Sequence, residues 1–478
     1  MTESISYSGG LVSLLLPWFL GCVWVRWLLC KSGRWNWFIV AGQGYLVGIF
    51  LTTLTIRFAD WAGLGLHFWP LAACLSLLGI AALAVQMRQI SPSKYEPITA
   101  ASPHWHKAIV VIMLLLLSWR YVTLLQEILL RPLYAWDAWM NWVPKAIVWF
   151  HLGELVDFVN PNQWLLQGRE VQSYTLGNRQ ASEYPPTVPL ILLWGMMGIG
   201  SWDHSFLHLP WLLLAINLGL ALYGHLRLTG SSVLGSAIAS YMLLGLPFYN
   251  VHTVLAGYAD IWLAAAFGMS VFAFREWHLN RAWPYGLLCL VTAALCSQLK
   301  IPGIVLALIL LVAFLRSLVN ASYNKEILLL SSLAAISMAL LLFGLDIQIP
   351  AVGRLVINTD VISLPLFGEH SLHFHPVWSA FLESMFVMIN WHLGWYLFFV
   401  LLLTMALRGR FSRQPAPDTF AIIAALLFLF FVFFFTDQQR AATNFVTLNR
   451  AQLYVVPALF YYLFLQLNAQ ERVSGQRQ

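Results

Sequence analysis

Residues 284–315 read PYGLLCLVTAALCSQLKIPGIVLALILLVAFL, an apolar run interrupted by one charge, Lys300, and by the Pro302-Gly303 pair behind it. As a single helix these 32 residues would extend about 48 Å at 1.5 Å per residue, well beyond a hydrocarbon core of about 30 Å. The run therefore reads as two short helices meeting at Lys300, and the chain as a membrane protein. An ammonium held at such a break can bind an anionic group, and a phosphate is the natural guest. The structural alternative is that Lys300 snorkels its charge to the interface.

The remainder of the chain fits that class. Of 478 residues, 60% are hydrophobic and 10% charged, against about 25% charged in soluble domains. Apolar runs near 11–29, 35–56, 63–85, 108–130, 207–225, 232–250, 256–274, 284–299, 301–318, 327–345, 391–407, 419–436 and 451–467 predict about thirteen transmembrane helices. The 26 Lys+Arg exceed the 20 Asp+Glu for a net charge of +6. In a membrane protein that surplus reports orientation, and no basic nucleic-acid patch is visible, so no nucleic acid is expected as partner. Basic connectors at 88–107, 275–281, 316–325 and 408–413 should be cytoplasmic, which puts the N-terminus outside and the C-terminus in the cytoplasm. The opening MTESISYSGG has no basic n-region, so the run from Leu11 is expected to be a retained span. The five cysteines lie in or beside apolar runs without metal-ligand spacing and read as packing residues.

On this layout residues 1–107 form N-terminal transmembrane helices, 108–467 a larger transmembrane region, and 468–478 a cytoplasmic tail. Outer segments 131–185, 346–390 and 437–450 are too long for plain turns and rich in Trp, His, Asp and Arg, so the outer side is the expected active face. Segment 186–200 is apolar but short and predicts a re-entrant or interfacial helix. No strand-forming blocks, tandem repeats or low-complexity tracts stand out. The expected fold class is an all-α polytopic membrane bundle with interfacial helices in its extracytoplasmic loops.

The first outer loop carries YAWDAWMNWVPKAIVWF at 134–150. Carboxylates avoid bilayers unless they have a task, which singles out Asp137. In a helix, Asp137, Asn141 and Lys145 recur at four on one face, while Trp139, Trp142, Ala146 and Trp149 form an aromatic stripe on another. That helix is expected to lie flat at the interface, with Pro144 kinking it or starting a second one. A plain interfacial Trp belt, with Asp137 favoured by the helix dipole, explains the same residues. Glu183-Tyr184-Pro185-Pro186 fixes an extended lead-in that could hold Glu183 near Asp137. Asp260, in Gly257-Tyr258-Ala259-Asp260, reads equally as a helix cap and as a functional acid. The last loop offers Arg440, Asn444, Asn449 and Arg450, and an arginine fork suits phosphate or anchors a helix. Glu369, His370, His373 and His375 have ligand types for a metal but no fixed spacing. His392, after Trp391, lines a cavity or belongs to the aromatic belt.

Taken in order, WDAWMNWVPKA, EYPP, GYAD, LK before Pro-Gly, and NR before an apolar last helix resemble the GT-C superfamily of membrane glycosyltransferases. The similarity covers roughly residues 108–467 and is nearest to the bacterial branch related to protein O-mannosyltransferases and the lipid A aminoarabinose transferase. The resemblance implies Asp137 as catalytic base, Lys300 and Arg450 as holders of a donor phosphate, and Glu183 and Asp260 as further site acids. Asn141, Lys145, Tyr184 and His392 complete the expected substrate or metal pocket. Many members carry two adjacent acids in the first loop, where this chain has Asp137 alone. The donor implied is a polyprenyl-phosphate sugar in the membrane lipid, and the acceptor a hydroxyl of a glycan, lipid or protein, attacked with inversion. No cofactor is required, although a divalent cation shared by Asp137 or Glu183 is compatible. The sequon at 320–322 falls on the expected inner side and so gives no sign of an endoplasmic reticulum protein; a bacterial inner membrane, with the active face toward the periplasm or exterior, is the expectation. Two other classes fit the composition: a secondary transporter of an anionic or sugar-like solute, with its site on an interrupted helix, and a non-catalytic envelope scaffold.

Overall fold

The computed structural model describes residues 5–87, 103–167, 172–178, 180–319, 339, 343–349, 353–365, 368–407 and 416–475. Helices dominate. The first two, α1 (Tyr7–Cys30) and α2 (Trp37–Trp61), start at Ser6 and Asn36, whose side chains accept from Gly9 and Ile39 backbone N–H groups. Such caps satisfy donors that the helix itself leaves open. The two helices pack closely because Gly21 faces Gly44 and Gly48; a methyl on any of the three would overlap the opposite backbone. Helices in lipid gain little from the hydrophobic effect, so close packing of small residues holds them together. Next come α3 (Phe68–Met87) and α4 (His104–Leu130), then the short α5 (Val143–Leu152), α6 (Pro161–Leu166) and α7 (Thr187–Ile199).

At the centre is α11 (Asp260–Asn280), reached through α8 (Leu209–Leu228), α9 (Val233–Leu244) and α10 (Pro247–Val254). Every residue from 260 to 274 is buried. It packs on α8, on α12 (Trp283–Leu299) and on the final helix, Val446–Gly475. Inside the bundle Gln43 of α2 donates to the Met269 carbonyl at 3.1 Å and meets His225 of α8 at 3.2 Å. Such interhelical bonds contribute about 1 kcal/mol each in membranes. The inner-side charges expected from sequence gather at one end of α11, where Arg275 contacts Asp418 at 2.5 Å and Arg34 meets Glu276 at 3.5 Å. Asp260 marks the opposite end.

Seven of the described helices are long and apolar enough to cross a membrane, eight if α9 and α10, bent by 61°, count as one span. They cover the runs expected near 11–29, 35–56, 63–85, 108–130, 207–225, 301–318 and 419–436. The runs near 284–299 and 391–407 form helices of 17 and 14 residues. Those near 256–274 and 451–467 lie in α11 and the final helix, which carry charge because other helices shield them from lipid. The run at 327–345 falls almost wholly outside the described residues. Segment 186–200 is helical as α7, about 20 Å long by its rise per residue. All its residues but Met197 are buried within the protein, and the Ser6 backbone N–H at the head of α1 donates to its Ile199 carbonyl at 2.8 Å, so this re-entrant or interfacial candidate is enclosed by the other helices.

The helical membrane class holds, but the expectation that no strand-forming blocks occur is corrected. Four strands, β1 (Leu345–Ile349), β2 (Gly353–Ile357), β3 (Val361–Leu364) and β4 (Gly368–Ser371), pair in that order as an antiparallel meander. Leu345-Asp346-Ile347-Gln348-Ile349 alternates apolar and polar side chains, the period of a strand. Arg354 grips Asp346 across β1 and β2 through Nε at 2.9 Å and Nη2 at 2.6 Å. Asn358 accepts from the Asp360 and Val361 backbones and turns β2 into β3. His370 on β4 meets Asp437 at 2.7 Å, and the His373 and His375 N–H groups donate to the Phe435 and Phe434 carbonyls. These bonds pin the sheet to the end of the Pro417–Phe435 helix.

Candidate active site

The first loop delivers Asp137 by a widened turn. Residues Ala138–Trp142 form one π turn, closed by the Val143 N–H on the Ala138 carbonyl, and α5 begins at Val143 with Pro144 in its first turn. Pro144 thus starts a new helix, as the missing N–H of proline allows. π turns shift the faces of a helix and recur at functional sites. Asn141 still donates to Asp137 Oδ1, and its own Oδ1 accepts from Asn178 at 2.6 Å. Lys145 turns away: Nζ reaches the Ser182 and Tyr184 carbonyls, each at 3.3 Å. Burial lowers its ammonium to about 8. Lys145 is therefore a tether for the segment at 182–184 rather than a wall of the pocket. The aromatic stripe is corrected too, since Trp142, Ala146 and Trp149 are buried in protein and Trp142 stacks on Tyr184 at 5.1 Å. Burial and the nearby Asp137 charge push the Tyr184 phenol up, so it remains a donor.

Asp260 opens α11 after a sharp turn. Gly257 has φ +84°, and a Cβ there would strike Ala138, so glycine lets the turn lie against the Asp137 loop. Asp260 is fully buried, yet its bonded partners are side chains from other helices rather than the N–H groups a cap would serve. Lys300 Nζ donates to Oδ1 at 2.8 Å and Tyr454 Oη at 2.7 Å. Arg450 holds Oδ2 through Nη2 at 2.7 Å and Nε at 3.0 Å. Buried carboxylates persist when compensated this fully.

Lys300 occupies the break between α12 and α13 (Ile301–Val319), in extended conformation at φ −159° and ψ 153°. Gly303 lets α13 fold back on α12, because a methyl there would overlap the Cys296 carbonyl. The ammonium points inward to Asp260 and to Tyr454 Oη at 3.1 Å, which excludes snorkelling. Arg450, near the start of the final helix, joins the two acids: the same Nη2 lies 2.5 Å from Asp137 Oδ2 and 2.7 Å from Asp260 Oδ2. Two carboxylates and two cations thus balance one another in one buried cluster.

This cluster opens on a cavity of about 440 Å³, within the usual range of ligand sites of roughly 300–1,000 Å³. Asp137, Lys300, Arg450, Glu183 and Tyr184 line its polar part. From Lys300 the wall runs along α13 through Ile301, Pro302 and Val305, facing Phe428, Phe431 and Val432 of the Pro417–Phe435 helix. Ile362, Leu364 and His370 of the sheet complete it. Glu183 sits in a 3₁₀ turn (Ala181–Glu183) with its side chain exposed.

Of the sequence-predicted site, Asp137, Asn141, Glu183, Tyr184, Asp260, Lys300 and Arg450 come together. His392 does not: it is exposed, lies in a positive-φ turn and is absent from the cavity wall. Asn449 bonds Ser384 at 2.6 Å instead, a helix-to-helix contact. Among the described residues no three His, Cys, Asp or Glu side chains are placed to hold a metal ion, so the Glu369, His370, His373 and His375 grouping does not assemble. A divalent cation between Asp137 and Glu183 fits poorly, since Asn141 and Arg450 already occupy the two Asp137 oxygens. Tyr454 is the main addition. It lies four residues beyond Arg450, hence on the same helix face, which was its signal in the sequence. Tyr258 is a second: its Oη accepts from the Asp137 N–H at 3.3 Å, and its ring lies 4.9 Å from the Arg450 guanidinium. Asn178 carried no signal.

Fold and site together define a helical membrane protein with a buried acid–base cluster opening on a cavity that is polar on one side and apolar on the other. No protein-family model, curated protein or solved structure matches the chain.

Proposed function

We propose that this chain is an inverting membrane glycosyltransferase of GT-C type that moves a sugar from a polyprenyl-phosphate donor to an acceptor hydroxyl of a glycan, lipid or protein. One observation carries the reading: the wall that starts at Lys300 and Arg450 continues as the apolar faces of α13 and the Pro417–Phe435 helix. A ligand with an anionic head and a hydrocarbon tail suits such a cavity. The phosphate would lie against Lys300 and Arg450, the tail along α13, and the sugar toward Glu183 and Tyr184.

Asp137 then takes the acceptor hydroxyl proton as the acceptor oxygen bonds to the anomeric carbon. The bond from that carbon to the phosphate oxygen breaks, and its electron pair leaves with the polyprenyl phosphate. Charge thus passes from Asp137 to the phosphate while Lys300 and Arg450 stay fixed beside both, a preorganised arrangement that can dominate a barrier. The sorting of charges along α11, with Asp260 at one end and Arg275 and Glu276 at the other, favours a site on the extracytoplasmic side of a bacterial inner membrane, N-terminus outside and C-terminus inside.

Transfer of radiolabelled sugar from a polyprenyl-phosphate donor by the protein in vesicles tests the proposal, with solute flux measured on the same vesicles. Transfer without flux is expected. Flux of the solute without transfer would assign the chain to the transporters and overturn it.

A further inference from the structure

The cluster is balanced before any ligand arrives, and a phosphate unbalances it. Asp260 is held by four contacts, from Lys300, Tyr454 and two nitrogens of Arg450. Asp137 is held by two, one from the neutral Asn141 and one from Arg450 Nη2 at 2.5 Å. Both carboxylates draw on that same nitrogen. Asn141 and Arg450 occupy both Asp137 oxygens, so while these contacts last no oxygen is open to an incoming proton. A phosphate in the cavity makes three anions compete for two cations. Asp260, with more bonds and deeper burial, keeps its partners, and Asp137 is the one that yields.

We propose that the donor phosphate switches Asp137 on: by drawing on Arg450 and adding its own negative charge, it converts an ion-paired carboxylate into one that avidly takes a proton. This rests on the glycosyl-transfer reading of the site and deepens it. Without donor, Asp137 stays paired and does not activate a hydroxyl or water. With donor bound, base strength appears where the acceptor docks. The neighbouring groups allow this assignment. Tyr184, Tyr258 and Tyr454 are phenols facing the cluster, Lys300 is committed to Asp260, and Glu183 and His370 line the cavity farther out.

The test uses the full chain in detergent, with polyprenyl phosphate as probe and its binding followed separately by thermal shift. Polyprenyl phosphate is the leaving product and carries more negative charge than the donor diester, so with this probe bound Asp137 holds the proton that it takes from the acceptor during transfer. A protonated-carboxyl band then appears in the infrared difference spectrum and is missing from Asp137→Asn. Carbodiimide, which reacts with protonated carboxyls, labels Asp137 at least about tenfold more, the change that one pKa unit brings. The labelling is read by mass spectrometry on the unmutated chain, so it stands even if the variant folds poorly. Probe binding without either signal overturns the switch and leaves the glycosyl-transfer reading intact. Failure of the probe to bind removes that reading itself. Inorganic phosphate at equal concentration gives no response, for want of a tail along α13, and an equal response would overturn the lipid assignment.

Discussion

Lys300 Nζ and Asp260 Oδ1 stand 2.8 Å apart, tying the break between α12 and α13 to the first residue of α11. Asp260 is fully buried and Lys300 meets solvent only where it lines the cavity, so the pair is largely desolvated. Removing one partner of a buried pair costs about 3–5 kcal/mol, whereas replacing both can be nearly neutral. Asp260→Asn should therefore lower the thermal midpoint of the detergent-solubilised protein sharply. The double variant Asp260→Asn with Lys300→Met should recover much of that loss, and additive losses would show that the pair is not coupled.

Asp137 is held less tightly than Asp260, and its loss should be felt in rate rather than in stability. General-base assistance contributes about 10²- to 10⁴-fold. Asp137→Asn should cut sugar transfer by that order while shifting the melting midpoint less than Asp260→Asn does. Transfer within a few-fold of the unmutated chain would remove Asp137 from the chemistry.

Lys145 gives a pH dependence of known sign. Burial lowers its ammonium from 10.5 to about 8, so between those values the unfolded chain binds more protons than the folded one. Stability should therefore rise with pH across that window, by up to about 1.4 kcal/mol per pH unit from this group. Below pH 8 both states are charged and the contribution is flat. Melting curves of the unmutated chain and Lys145→Met at stepped pH check this, because the variant should lose that part of the slope.

Gly303 and Gly48 make a contrast between two close helix contacts. A methyl at Gly303 would meet the Cys296 carbonyl of α12, and one at Gly48 the Pro17 carbonyl of α1. Overpacking of this kind costs about 1–3 kcal/mol. Gly303→Ala should lose both stability and transfer, since the displaced break carries Lys300. Gly48→Ala should lose stability but keep the specific activity of whatever protein remains folded.

The charged site was largely legible in the sequence. Asp137, Asp260, Lys300 and Arg450 each stand out because charge is scarce in apolar surroundings. What the sequence could not supply was their pairing, since Arg450 bonds an acid 313 positions earlier and another 190 positions earlier. Lys300 and Arg450 looked like free cations awaiting a phosphate, but they already neutralise the two acids. Lys145 was misplaced because a π turn broke the four-residue period before it reached that side chain. The sheet was missed although 345–349 alternates plainly, because strands of four or five residues are faint beside long apolar runs. The short helices α7 and α12 were visible as apolar segments, yet composition does not tell a helix that faces lipid from one enclosed by others.

The position of Arg450 in the final helix sets an order for biogenesis. A ribosome that has made α11 and α12 has already committed Asp260 and Lys300 to the bilayer, while their arginine is still many codons away. Until the helix that carries Arg450 and Tyr454 has been made, Asp260 has Lys300 as its one charged partner, and the cluster closes only when that helix packs on α11.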